Sequence, residues 1–165
     1  MSTNKFISAI CGVLLFSLPA SSQSAPRSLK LHAYLFHSAT GQLSKDVLAA
    51  GGFDKDLDLT DAKAVLVVVE VRYDPHTSFA EKEQVQLVAV ETGNGPLAVD
   101  PGVPHHPDRM ILNKVSHIGP TEGKGAGYVG FWLEVSGCRT VRLKASLVGM
   151  KAAPVTELLG FACGE

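Results

Sequence analysis

Hydrophobic and polar residues alternate with a period of two along several short segments of this chain. The clearest segment is residues 140–148, where Val141 and Leu143 fall on one side while Arg142 and Lys144 fall on the other. This period is typical of β-strands that bury one face in a core. It predicts strands over residues 29–36, 83–91, 127–135 and 140–148, and weaker patterns predict strands over 109–118 and 155–163.

A nearly continuous run of β-branched residues, AVLVVVEVR, occupies residues 64–72 and predicts a central strand that is covered on both faces at its start. No long apolar pattern has the helical period of 3.6 residues. Only residues 44–50, opened by Ser44 and followed by Gly51 and Gly52, predict one or two helical turns. About seven short strands separated by turn-rich stretches predict an all-β fold, an antiparallel β-sandwich of immunoglobulin-like type.

The N-terminus has the three parts of a cleavable signal peptide. Residues 1–5 are polar and carry one positive charge, residues 6–18 are mainly apolar, and small residues follow up to Ala25. The apolar run is too short for a membrane-spanning helix, which needs about 20 residues. We therefore expect residues 1–25 to be removed on export, which leaves residues 26–165 as a single domain in the periplasm or outside the cell.

Two of the three cysteines remain after this cleavage, because Cys11 lies inside the signal. An even number of cysteines in an exported chain indicates a disulfide, so we predict that Cys138 and Cys163 are bonded. The spacing of cysteine, tryptophan and cysteine found in true immunoglobulin domains is absent, because Trp132 precedes both of them. The likeness to immunoglobulin domains is therefore one of architecture.

The charge balance excludes two classes of partner. Of the 15 basic residues only Lys5 lies in residues 1–25, where no acidic residue occurs, so the mature chain has 14 basic and 16 acidic side chains. A nucleic-acid binder would carry a basic patch or stripe. We expect neither nucleic-acid binding nor a polybasic membrane-surface function, and no membrane span after cleavage.

Histidines offer the first candidate chemistry. His105 and His106 are adjacent in a proline-rich stretch, and His117 ends the next predicted strand. Imidazoles suit copper, zinc or nickel. Adjacent residues of an extended chain point to opposite sides, however, so at most one of the pair would join a pocket without a turn. Two readings remain open, exposed loop residues or a transition-metal site.

Two polar faces carry the other candidate binding residues. Lys30, His32 and Tyr34 share the polar face of the first predicted strand, which we interpret as a solvated sheet face. Tyr128 and Trp132 lie on the polar face of the 127–135 strand. Exposed aromatic residues are enriched at protein interfaces. The alternative is that these two aromatics pack across strands inside a covered sheet.

Three other patterns do not complete a known site. Aspartates alternate from Asp54 to Asp58, but an EF-hand loop beginning at Asp54 would need glycine and glutamate where Leu59 and Val65 stand. Lys124 follows glycine but precedes another glycine, so residues 119–127 are not a phosphate-binding loop. The chain also lacks the nucleophile elbow of the α/β-hydrolases.

Three functional hypotheses follow. The leading one is a non-enzymatic, exported binding or accessory module, without a cofactor, that contacts another protein. Its contact surfaces would be residues 93–108, residues 119–127 and an edge strand, with Tyr128 and Trp132 in or beside the contact. The alternative is a protein that binds or delivers a transition metal through His105, His106 and His117. The third is a small hydrolase whose catalytic residues meet only in space.

Overall fold

Eight strands and no helix make up the part of the chain that the computed structural model describes, which is residues 28–49, 62–73, 83–92, 107–119, 125–135, 139–150 and 152–161. The strands are β1 (Ser28–His37), β2 (Gln42–Leu43), β3 (Ala62–Arg72), β4 (Gln84–Thr92), β5 (Arg109–His117), β6 (Ala126–Glu134), β7 (Thr140–Leu147) and β8 (Val155–Leu159). They form two four-stranded sheets in the orders β2-β1-β3-β6 (sheet 1) and β5-β4-β7-β8 (sheet 2). All pairings are antiparallel. The prediction of an all-β antiparallel fold is confirmed, and two such sheets are consistent with a β-sandwich.

One hydrophobic core joins the two sheets, since its buried side chains come from strands of both. The alternating pattern produces this core directly, because successive side chains of a strand point to opposite faces. In β3, which lies between β1 and β6, Val65, Val67, Val69 and Val71 are all buried. Phe131 of β6 is among the largest of the fully buried side chains.

All seven predicted strands are present, with bounds that differ by a few residues. The prediction missed β2, whose two residues are too few to show a pattern. The predicted helical turns are wrong over the described residues 44–49, where residues 47–49 form a turn that follows an extended segment. The cause is the edge of β1: the N–H groups of Ser44 and Val47 donate to the carbonyls of Leu35 and Ala33, at 2.8 and 2.9 Å.

Several predicted features lie outside the described residues. They are the signal peptide of residues 1–25, Cys138 and Cys163, His105 and His106, the aspartates from Asp54 to Asp61, Lys124, and most of residues 93–108 and 119–127. Among the residues that are described, no helix is long and apolar enough to cross a membrane.

Candidate functional site

The outward face of sheet 1 carries the largest exposed aromatic side chains of the described residues. In β6, Val129, Phe131 and Leu133 enter the core, so Tyr128 and Trp132 must point the other way. Tyr128 is 59% exposed and Trp132 is 55% exposed. Trp132 is therefore a surface residue of this chain.

Neighbouring strands extend this aromatic surface. Trp132 lies opposite Leu66 of β3, which in turn lies opposite Tyr34 of β1. The ring of Phe36 meets that of Trp132 edge to face, with ring centres 5.9 Å apart and planes at 87°. A Cβ atom added at Gly130 would lie 3.4 Å from Cδ1 of Leu66, which is a van der Waals contact. We call Tyr34, Phe36, Leu66, Tyr128 and Trp132 the aromatic face.

A cavity of about 1040 Å³ adjoins the aromatic face at Trp132. Its lining among the described residues is Phe36, Ser38, Ala64, Arg109, Met110, Ile111, Trp132, Leu133, Glu134 and Val135. Of these side chains only Arg109 and Glu134 are charged and only Ser38 carries a hydroxyl. The described lining thus contains no histidine that could act as a base for that hydroxyl, and no cysteine nucleophile.

Among the described residues, no strand pairs with the outer edge of β6, which ends sheet 1. The N–H of Tyr73 donates to the carbonyl of Gly125 at 2.7 Å, directly beyond the pair Arg72 and Ala126 of the β3–β6 register. Hydrogen-bonded and non-bonded pairs alternate in an antiparallel ladder. The backbone N–H and C=O groups of Tyr128, Gly130 and Trp132 therefore point away from β3, and no hydrogen bond within the described part of the chain reaches them.

The other three sheet edges are protected. Along β1, Ser44 Oγ and Asp46 Oδ1 accept the edge N–H groups of Leu35 and Ala33, at 2.9 and 3.1 Å. The edge strand β5 carries Lys114, and its pairing with β4 contains an irregularity. At the last edge, β8 is only five residues long. Short strands, lysines, bulges and covering segments are devices that keep edges from pairing. Within the described part of the chain β6 has none of them: its nine residues pair with β3 in unbroken register and carry no charge before Glu134.

A histidine held by two carboxylates lies on the same outward face. Nδ1 of His32 is 2.6 Å from Oδ2 of Asp46, and Nε2 is 2.9 Å from Oε2 of Glu70. The other oxygen of Glu70 accepts a hydrogen bond from Nε of Arg72 at 2.7 Å. The side chain of His32 is only 15% exposed, so the interpretation of this strand face as solvated is wrong for His32.

The partners of each carboxylate in this network set its pKa. Burial raises the pKa of Asp46, but hydrogen bonds from His32 and from the N–H groups of Ala33 and Leu48 outweigh it, and the pKa lies below its ordinary value. The hydrogen bond from Arg72 lowers the pKa of Glu70, burial opposes this shift, and His32 adds to it. Ionised carboxylates accept hydrogen bonds only. The network is therefore fully satisfied when both ring nitrogens of His32 carry hydrogen.

The geometry of this network does not suit a shared metal ion. Asp46 and Glu70 occupy opposite ring nitrogens of His32, so the three side chains cannot share one ion. Across the described residues, no three histidine, cysteine or acidic side chains are placed to bind a metal. His117 is exposed at the end of β5, with Nε2 of Gln84 3.1 Å from its own Nε2.

A second buried acid lies on the inner side of sheet 2. The side chain of Glu91 is 0% exposed, and its Oε2 is 2.9 Å from Arg109 and 3.8 Å from Arg139. Among the described residues, its Oε1 has no hydrogen-bond partner. Neither Glu91 nor the pair Asp46 and Glu70 was predicted from the sequence. The sequence signal that could have found them is an acidic residue at an otherwise apolar strand position. Glu91 follows Ala89 in the apolar alternation of its strand, and Glu70 lies inside a β-branched run.

Comparisons of this chain with protein-family models, with curated proteins and with solved structures find no match.

Proposed function

We propose that this protein is a non-enzymatic, exported binding module that contacts another protein through β6. The observation that carries the proposal is the combination of Tyr128 and Trp132, exposed on one strand, with the open edge of that same strand. Tryptophan and tyrosine recur as interface hot spots because burying them removes a large, rigid and amphipathic area from water.

The geometry favours a partner that supplies an extended segment. An added strand would satisfy the outward N–H and C=O groups of Tyr128, Gly130 and Trp132, while its alternate side chains pack on the two aromatic rings. Main-chain hydrogen bonds would supply affinity, and the aromatic face would select apolar side chains at alternate positions. The cavity beside Trp132 would receive side chains at one end of such a segment.

The finer architecture belongs to this proposal. Leaving β2 aside, the first, second and fifth long strands are adjacent in sheet 1, and the third, sixth and seventh are adjacent in sheet 2. Immunoglobulin domains group the same strands. This order supports an immunoglobulin-like sandwich, although the fourth long strand, β5, lies in sheet 2 here. A Cys138–Cys163 disulfide is supported by the pairing of Val141 with Leu159, three and four residues from the two cysteines.

Export to the periplasm or the medium remains part of the proposal and rests on residues 1–25. Metal delivery through His105, His106 and His117 gains no support from the described residues, since only His117 is among them and its described contact is with Gln84.

Photocrosslinking tests the proposed contact. A photoreactive phenylalanine analogue replaces Tyr128 in the exported protein, and a matched protein carries it at Lys144, on the exposed side of sheet 2. We expect a crosslinked polypeptide from position 128 and not from position 144. That polypeptide, identified and purified, should bind Trp132→Ala about 30-fold more weakly than wild type, as for a hot-spot residue.

Leu158→Ala is the control for this measurement, because Leu158 is as exposed as Trp132 but lies on β8 of sheet 2 and does not line the cavity. It should leave binding unchanged. Equal affinity of wild type and Trp132→Ala, or crosslinking at position 144 as strong as at 128, would overturn the proposal.

A further inference from the structure

We propose that the partner of β6 is a second copy of this chain, joined edge to edge so that two copies of sheet 1 form one continuous eight-stranded sheet. This inference rests on the proposed function and names its partner. In it, β6 pairs with β6 of the second copy in antiparallel register about a two-fold axis that passes between the two Gly130 residues.

The register follows from the direction of the backbone groups. Residues with even numbers in β6 present their N–H and C=O groups to the open edge, so they must form the hydrogen-bonded pairs of any added antiparallel strand. Pairing Gly130 with its own copy uses this set. The strand runs from Ala126 to Glu134 with Gly130 at its centre, so all nine residues find partners without an overhang.

The side chains agree with the same register. Pairing Gly130 with itself places Tyr128 opposite Trp132 of the second copy, and Trp132 opposite Tyr128. Both aromatic pairs lie on the outward face, because a two-fold axis perpendicular to the sheet keeps that face on one side. Aromatic cross-strand pairs stabilise antiparallel sheets, and this register forms two of them.

The charges are also self-complementary. No charged residue occurs in β6 before Glu134, so no like charges meet along the seam. Glu134 would face Ala126 of the second copy, whose partner on β3 is Arg72 of that copy. The side chains of Glu134 and Arg72 are exposed and long. The symmetry places one such opposite-charge pair at each end of the seam. An isologous contact of this kind closes on itself and yields a dimer rather than a fibre.

Sedimentation of the purified exported protein over a wide concentration range tests the dimer, with Gly130→Pro as the disruptive variant. Proline lacks the N–H that Gly130 turns to the open edge, and this N–H is not used in the β3 ladder, so the fold should survive. We expect a concentration-dependent dimer for wild type and for the control Gly130→Ala, and a monomer for Gly130→Pro with an unchanged circular dichroism spectrum.

A pair of charge variants tests the register independently of proline. Tyr128→Lys with Trp132→Glu places opposite charges across the seam, whereas Tyr128→Lys with Trp132→Lys places like charges there. The lysine–glutamate variant should dimerise at least about tenfold more tightly than the lysine–lysine variant, and added salt should reduce this difference.

The outcomes separate this inference from the proposed function. A wild-type protein that stays monomeric at every concentration overturns the second copy, and so does equal dimerisation of the two charge variants. If position 128 then crosslinks to a different polypeptide that requires Trp132, the proposed function stands without the dimer. If neither dimerisation nor any crosslink depends on Trp132, both are wrong.

Discussion

At the scale of single residues, the outward face of sheet 1 shows that a polar residue on an exposed strand face need not be solvated. His32 has the sequence environment of a surface residue, between Leu31 and Ala33 in an alternating strand. It contacts Asp46, which lies in the segment along the β1 edge, and Glu70 of the neighbouring strand β3. Asp46 also accepts a hydrogen bond from the backbone N–H of Ala33 on that edge. One carboxylate therefore both holds the histidine and satisfies an edge N–H group of β1.

The two depressed pKa values predict acid sensitivity. A carboxyl whose pKa is lower in the folded than in the unfolded state stabilises the protein fully above its unfolded value, near 4, and this stabilisation is lost as the pH falls through the folded value. Stability should therefore fall below about pH 4 and should fall less steeply in Asp46→Asn/Glu70→Gln. Urea unfolding at a series of pH values measures this. Glu157→Gln is the control, since it removes one carboxylate that lies outside the network.

Replacing Asp46 by alanine should destabilise the protein even at neutral pH. Asp46→Ala leaves the N–H groups of Ala33 and Leu48 without this acceptor and should lower the free energy of unfolding by about 1–3 kcal/mol at neutral pH. An unchanged free energy of unfolding in Asp46→Ala, together with an unchanged acid profile in the double variant, would show that the network is not what stabilises this edge.

At the scale of secondary-structure elements, β6 combines two roles in one strand. Its inward residues fill the core, and its outward residues form part of the aromatic face. The period of two separates these roles so completely that neighbouring residues should respond differently to the same substitution.

Phe131 and Trp132 provide this test at the element scale. Phe131→Ala empties a fully buried position and should lower the free energy of unfolding by about 3–5 kcal/mol. Trp132→Ala should cost only about 1 kcal/mol, mainly the lost ring contact with Phe36. Urea unfolding of both variants measures the difference. If Trp132→Ala proves as destabilising as Phe131→Ala, the ring belongs to the core, and β6 cannot present it to a partner.

At the scale of the whole molecule, β6 is the sheet edge that the described residues leave without a pairing strand or a protecting feature, and the proposed dimer forms there. Sheet 1 is blocked on the β1 side by β2 and by the segment around Ser44, so among the described strands β6 is the edge of sheet 1 that a second strand would join. The same asymmetry predicts that the dimer does not extend further, since pairing two β6 strands uses up the open edge of both copies.

The proposed disulfide acts at this scale too, because it closes a loop of about 25 residues that contains β7 and β8. In the chain-entropy model such a loop stabilises the folded state by roughly 3–4 kcal/mol. Cys138→Ser should therefore lower the Tm markedly, and Cys163→Ser should match it. Thiol titration of the denatured, unreduced protein should find no free thiol; two titratable thiols would disprove the bond.

The sequence by itself determined the strands and their faces. Alternation in β6 and β7 and the valine run of β3 report which side chains enter a core, because burial of one face imposes the period of two wherever strands lie. It also showed that Tyr128 and Trp132 share one side of a strand. These are local properties, which depend on residues a few positions apart.

Only the tertiary structure decided which strands are neighbours, and everything that follows from that. Residues 44–49 have a helical pattern but run along β1, because the unpaired edge of that strand offers hydrogen-bond partners that a short helix would have to forgo. The meeting of His32 with Asp46 and Glu70, the contact of Phe36 with Trp132 across β3, and the open edge of β6 all depend on strand order. Strand order is set by long-range packing of the two sheets, and a pattern of period two carries no record of it.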